Sequence, residues 1–123
     1  MSRPLGAVYH VPHGLSNAAL LPTVTRFSLA GAPERYATIA RIMGLASGAD
    51  DDAAAGHKLV DGLELFNEAL QIPPLRECVP VGRAKFERGL EKMAADALAS
   101  GSPQNNPVVA TAEQIIALYK EAW

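Results

Sequence analysis

The stretch "LVDGLELFNEAL", residues 59–70, sets Leu59, Leu63, Phe66 and Leu70 three or four positions apart. That spacing puts all four on one side of an α-helix but on both faces of a strand, so the segment reads as a helix. The same period recurs wherever proline or glycine does not interrupt the chain. A first helix starting after Gly14, with His13 or Ser16 near its cap, carries Leu15, Ala18, Ala19, Leu21, Val24 and Phe27, and Pro22 predicts a kink or a break within it. Pro33 opens a second, with Tyr36, Ile39, Ala40 and Met43 on one side and Gly44 at its end. Asp50, Asp51 and Asp52 suit the positive start of the third, which runs through Leu59 to Leu70 until "IPP" at 72–74 stops it. A fourth spans about Arg83 to Ala99 through Phe86, Leu90, Met93 and Ala97. The last opens on a capping box, Thr111 with Gln114, and carries Ile115, Ile116, Leu118, Tyr119 and Ala122.

Strand signals are scarce. The best is "AVYHV", residues 7–11, which Pro12 cuts short. The expected fold class is therefore all-α: a helical bundle of about five helices behind a short extended N-terminal segment, with residues 1–123 forming a single helical domain. Hydrophobic residues make up 49% of the chain, enough to build a core and to argue against disorder. "SGSPQNNPV", residues 100–108, is the most irregular connection, and such loops run over the surface or line sites. Trp123 follows a helical pattern directly, so the C-terminal residue is expected to be docked against the bundle.

Charge excludes some functions. Eleven lysines and arginines against thirteen acidic residues give a formal charge of −2, so no basic footprint marks a nucleic acid or an anionic membrane as partner. No apolar run approaches the roughly 18 residues of a membrane span. Cys78 is the one cysteine and can form no internal disulfide, which points to a reducing, cytoplasmic location. Within "LRECVPV" it reads as a buried, inert thiol rather than a nucleophile.

His13 is the residue whose setting is unusual. Pro12 fixes its own φ and biases Val11 toward extended backbone, while Gly14 tolerates angles other residues avoid. Together they make a sharp entry into a helix with an imidazole at the corner, and imidazole is the commonest side-chain metal ligand. A capping or hydrogen-bonded core histidine is the more ordinary reading of the same spacing, because zinc and iron sites need three or four protein ligands and no second cluster is present. His10 is three residues before His13, but Pro12 argues against a shared helical face, and His57 is expected to face solvent or cap its neighbours. No glycine-rich phosphate loop, G-x-S-x-G step or paired carboxylates appear, so no catalytic residue is assigned.

"PLGAVYHVPHGLSNAALLPTVTRFS", residues 4–28, resembles the signature region of the iron-containing (group III) alcohol dehydrogenases. "ERYATIARIMG" at 34–44, "LQIPPLRECVPV" and "NPVVATAEQIIALYKEAW" at 106–123 are similar to later stretches of that family in the same order, so the likeness spans essentially the whole chain. The family joins an N-terminal dinucleotide-binding α/β domain to a helical metal-binding domain. Its iron, replaced by zinc in some relatives, is held by one aspartate and three histidines. The resemblance implies that His13 is the last of those ligands, and that Asn105 and Asn106 border the substrate pocket. It also implies NAD(P) as cofactor and hydride exchange with a primary alcohol or aldehyde whose oxygen the metal polarises.

Two departures limit what these residues can do by themselves. The aspartate and two earlier histidines of the family precede the stretch matched by "PLGA", and Arg3 stands where the family has a further histidine. The expectation is thus the C-terminal part of such an enzyme, inactive alone and holding no metal or dinucleotide stably, with the missing N-terminal dinucleotide-binding domain as its partner. A maleylacetate reductase or a zinc-dependent polyol dehydrogenase would share this portion. The alternative of another class is a helical interaction module derived from that domain, in which the face left open binds a partner or a second copy, giving a homo-oligomer.

Overall fold

The computed structural model describes residues 1–123. The helices are α1 (Ser2–Tyr9), α2 (His13–Ser28), α3 (Pro33–Ile42), α4 (Asp52–Ala69), α5 (Leu75–Cys78), α6 (Arg83–Arg88), α7 (Leu90–Ala99) and α8 (Ala112–Ala122), with single 3₁₀ turns at Leu29–Gly31 and Ser102–Asn105. The all-α class holds, but there are eight helices rather than about five, and none is long and apolar enough to cross a membrane.

The extended N-terminal segment is the clearest correction. Residues 2–9 form α1, which contains most of the expected strand. Pro4 falls in the first turn, where a missing N–H costs nothing, and Leu5 is fully buried against the bundle. Burial of that face outweighs the β preference of Val8 and Tyr9. The helix stops at His10, whose left-handed backbone (φ 59°, ψ 24°) lets its N–H donate to the Gly6 carbonyl at 3.0 Å.

The other added helices come from breaks. The Arg83–Ala99 helix divides at Gly89, where a Cβ would lie 3.2 Å from the Tyr9 hydroxyl, and Pro73–Pro74 are followed by the single turn of α5. At Pro22 the opposite happens, since α2 continues as one helix from His13 to Ser28. A proline at 22 has no N–H for the carbonyl of Ala18, one turn back. That carbonyl instead accepts a 2.8 Å hydrogen bond from Asn67 Nδ2 on α4, so the lost bond is replaced from outside the helix. Pro33 at the start of α3, Asp51 capping α4 through the Ala54 N–H, and both bonds of the Thr111–Gln114 capping box form as expected. Gly44 follows α3 with φ 72°, as a helix-terminating glycine should.

Two separate cores hold these helices. The larger joins α1, α2 and α5 to α8 around Leu5, Leu75, Phe86, Leu90, Met93, Ile115 and Tyr119. Trp123 does dock, its indole stacked on Phe86 with centroids 4.3 Å apart, while Tyr119 meets the edge of the same ring and donates its hydroxyl to the Met1 carbonyl at 2.6 Å. The smaller core lies between α3 and α4 and consists of Ala37, Ala40, Ala55 and Leu59. Here the predicted stripe is only half used. Ile39, Met43, Phe66 and Leu70 stand exposed, because alanines let the two helices approach closely and leave the larger side chains outside the contact.

Candidate functional site

The corner between α1 and α2 is three residues long, His10, Val11 and Pro12. Val11 is its anchor, 4% exposed and part of the main core. Pro12 is extended (φ −54°, ψ 137°) and makes no side-chain cap, and His13 is the first residue of α2. A chain pinned inward at Val11 and turned sharply at Pro12 throws the next side chain outward. His13 is accordingly exposed, and its imidazole forms no hydrogen bond or ion pair with the rest of the chain. Gly14 beside it has no atom within 4 Å of where a Cβ would stand, so nothing crowds that ring from the following position.

From His13 the helix runs into an apolar cleft. Asn17, Leu20, Leu21, Val24 and Phe27 follow at helical spacing and line a cleft of about 330 Å³, closed on the other side by the 102–110 loop, Ile115 and Leu118 of α8, and Met1. Asn17 is the residue that reading the sequence missed, although its spacing of four from His13 was the signal: one turn along α2, exposed at the mouth of the cleft, with no protein partner. The terminal amine of Met1 is shifted below its ordinary pKa by burial and by the charge of Arg3.

Asn105 and Asn106 take different positions. Asn105 ends a 3₁₀ turn with its side chain exposed and does not line the cleft. Asn106 does line it, but its amide is engaged in structure: Nδ2 donates to Ser28 Oγ at 2.9 Å and to the Val108 carbonyl at 2.8 Å, while Ser28 donates to the Val24 carbonyl at 2.7 Å. That clip holds the loop against α2. His13 is outside this cleft, so the structure does not bring the imidazole and the two asparagines into one cavity.

The same holds for metal-binding groups in general. His10 lies in a different cleft, His57 is exposed on α4, and no three histidine, cysteine, aspartate or glutamate side chains come together in a way that could hold an ion. Asp50 is committed elsewhere, its carboxyl brought down to about 2 by Lys58 first and then by the Ser47 N–H and hydroxyl. Cys78 is half-buried and donates to the Pro73 carbonyl at 3.5 Å, and burial, then Glu77, raises its thiol pKa, which disfavours the nucleophilic form. The chain by itself does not fit an iron or zinc centre. It offers the unpartnered imidazole of His13 at a sharp corner.

The model of the Fe-containing alcohol dehydrogenase family, C-terminal, matches residues 1–123. The chain is 37% identical to a 1-propanol dehydrogenase of Salmonella typhimurium, over 98% of this chain and 33% of that one. It is also 37% identical to a lactaldehyde reductase of Escherichia coli, over 100% of this chain and 31% of the other. Its fold is similar to that of a 1,3-propanediol oxidoreductase crystal structure with a TM-score of 0.90 at 32% identity, covering 99% of this chain and 31% of that one. The chain therefore spans about a third of the length of the curated relatives it matches.

Proposed function

This chain belongs to the Fe-containing alcohol dehydrogenase family, as its C-terminal portion, and on that footing we propose that it serves as the helical, metal-side part of an NAD(P)-dependent enzyme exchanging a hydride between a short primary alcohol and its aldehyde. The observation that carries this reading is His13: an exposed, unpartnered imidazole at a corner fixed by buried Val11 and extended Pro12. The names of the relatives, a 1-propanol dehydrogenase and a lactaldehyde reductase, support short substrates. In this account His13 supplies one of several ligands to iron or zinc, and the remaining ligands and the dinucleotide site come from the polypeptide that forms the other two thirds of the relatives. Residues 1–123 hold the corner and the loop near it in place and are inactive alone.

The test is complementation. The N-terminal two thirds of the lactaldehyde reductase, produced separately and mixed with this chain and iron or zinc, should restore NAD(P)-dependent oxidation of 1-propanol, and His13→Ala should abolish it. Turnover by the His13→Ala mixture equal to that of the original would defeat the reading.

One feature favours a second reading, a helical interaction module. Large apolar side chains stand exposed on α3 and α4, Ile42 at 81% and Leu65 at 64%. Sedimentation of the isolated chain separates the two: a dimer dispersed by Ile42→Glu supports the module, and a monomer supports the enzyme portion.

A further inference from the structure

A second cleft, of about 460 Å³, lies where the end of α1 meets α6. Its volume is in the range of small-ligand sites, about 300–1,000 Å³. Four of its lining residues carry side-chain donors of different kinds: Tyr9 a hydroxyl, His10 an imidazole, Lys85 an ammonium and Arg88 a guanidinium. None of them is engaged within the protein. Neighbouring Arg83 is held by Glu87 at 2.9 Å and Lys92 by Asp96, whereas Lys85 and Arg88, between them on the same stretch, form no ion pair. The Tyr9 hydroxyl stands over Gly89, where a Cβ would approach it to 3.2 Å, and it makes no hydrogen bond. No acidic side chain is among the residues lining the cleft. Burial raises the Tyr9 pKa, so the phenol stays a donor.

Two cationic side chains on the lining of one cleft, with no carboxylate among its lining residues, are a place for a counter-charge, and a forked guanidinium near a point-like ammonium matches a tetrahedral oxyanion. A phosphate group carries about −1.5 to −2 charges near neutral pH, which matches the two cations. We infer that the cleft between the end of α1 and α6 binds a phosphate group, with Arg88 and Lys85 neutralising it and Tyr9 Oη and His10 donating to its remaining oxygens. The cleft shares His10 with the turn that leads to His13 but does not include His13 itself, and the inference does not depend on the dehydrogenase reading. Free phosphate and the head of a small phosphomonoester share this chemistry. Val81 on the cleft wall offers an apolar surface to an ester's organic group.

The experiment is a titration of the ¹⁵N-labelled chain with inorganic phosphate and, separately, with ethyl phosphate, at constant pH and ionic strength. Saturable amide shifts confined to residues 8–10 and 81–89 are expected, with Lys85→Gln and Arg88→Gln each weakening binding about ten-fold. Lys120→Gln, which removes a cation elsewhere on the surface, should leave the affinity unchanged. Tighter binding of ethyl phosphate identifies the ester, and tighter binding of inorganic phosphate identifies the free ion. Shifts that never saturate, or that sodium chloride reproduces, would overturn the site, as would a Lys120→Gln effect equal to that of Arg88→Gln. All three substituted residues are exposed, so the variants keep the fold.

Discussion

The main core and the α3–α4 pair are both built from helices with apolar stripes, yet they use large side chains in opposite ways. In the main core Phe86 is 1% exposed and wedged among Tyr9, Tyr119 and Trp123. In the α3–α4 pair the buried residues are three alanines and Leu59, and Phe66 is 54% exposed. The first arrangement gains stability from aromatic area removed from water. The second gains close backbone approach and depends on its joints to α2. An apolar stripe at helical spacing therefore shows which face of a helix is apolar, and packing decides which part of that face is covered.

The same substitution in the two regions gives the largest contrast. Phe86→Ala should cost about 3–5 kcal/mol, a large share of the stability of a domain this size, whereas Phe66→Ala should stay within about 0.5 kcal/mol. Urea unfolding of the two variants measures both, and equal losses would erase the distinction between the cores. Next in size is the joint at Pro22. Asn67→Ala leaves the Ala18 carbonyl without its donor and should cost about 1–2 kcal/mol, with faster amide exchange in α2 around residues 18–22 and little change in α7. Arg26 makes a weaker joint, bridging Glu64 of α4 and Glu121 of α8 with side chains 41–48% exposed. Arg26→Ala should lose about 0.5 kcal/mol at low salt and almost nothing in 1 M salt, because exposed pairs are screened.

The smallest effect is a pH slope confined to the α3–α4 side. Asp50 holds its proton less tightly folded than unfolded, about 2 against an ordinary value of 3.8. Its contribution is therefore fully present above pH 4 and disappears as pH falls toward 2. Thermal melts from pH 7 to pH 2.5 should show a shallower acid decline in Asp50→Asn than in the original chain, with no difference in slope above pH 5.

These contrasts also show what the residues disclosed before folding and what they did not. Capping and breaking signals are local, so Asp51, Pro33, Gly44 and the Thr111–Gln114 box announced themselves. Alpha-1 did not, because β-branched Val8 and aromatic Tyr9 suit a strand and only tertiary burial of Leu5 makes the helix worthwhile. The continuity of α2 through Pro22 depends on a side chain 45 residues further along, which no window around the proline contains. At the candidate site the turn at Pro12 was legible from backbone chemistry, but Gly14 plays no special part in it, since it lies in the first turn of α2 without a positive φ. The engagement of Asn106 by Ser28 was hidden, since that contact crosses 78 residues.

Metal titration of the isolated chain tests the central claim most directly, namely that these residues present a single imidazole to a metal whose other ligands lie elsewhere. In a chain carrying His10→Asn and His57→Gln, calorimetry with zinc should show one weak site, with a dissociation constant on the order of a millimolar or weaker and a binding free energy far short of the roughly 10–16 kcal/mol of complete structural sites, and adding His13→Ala should remove it. Tight, stoichiometric zinc in the isolated chain, or binding unchanged by His13→Ala, would contradict the account.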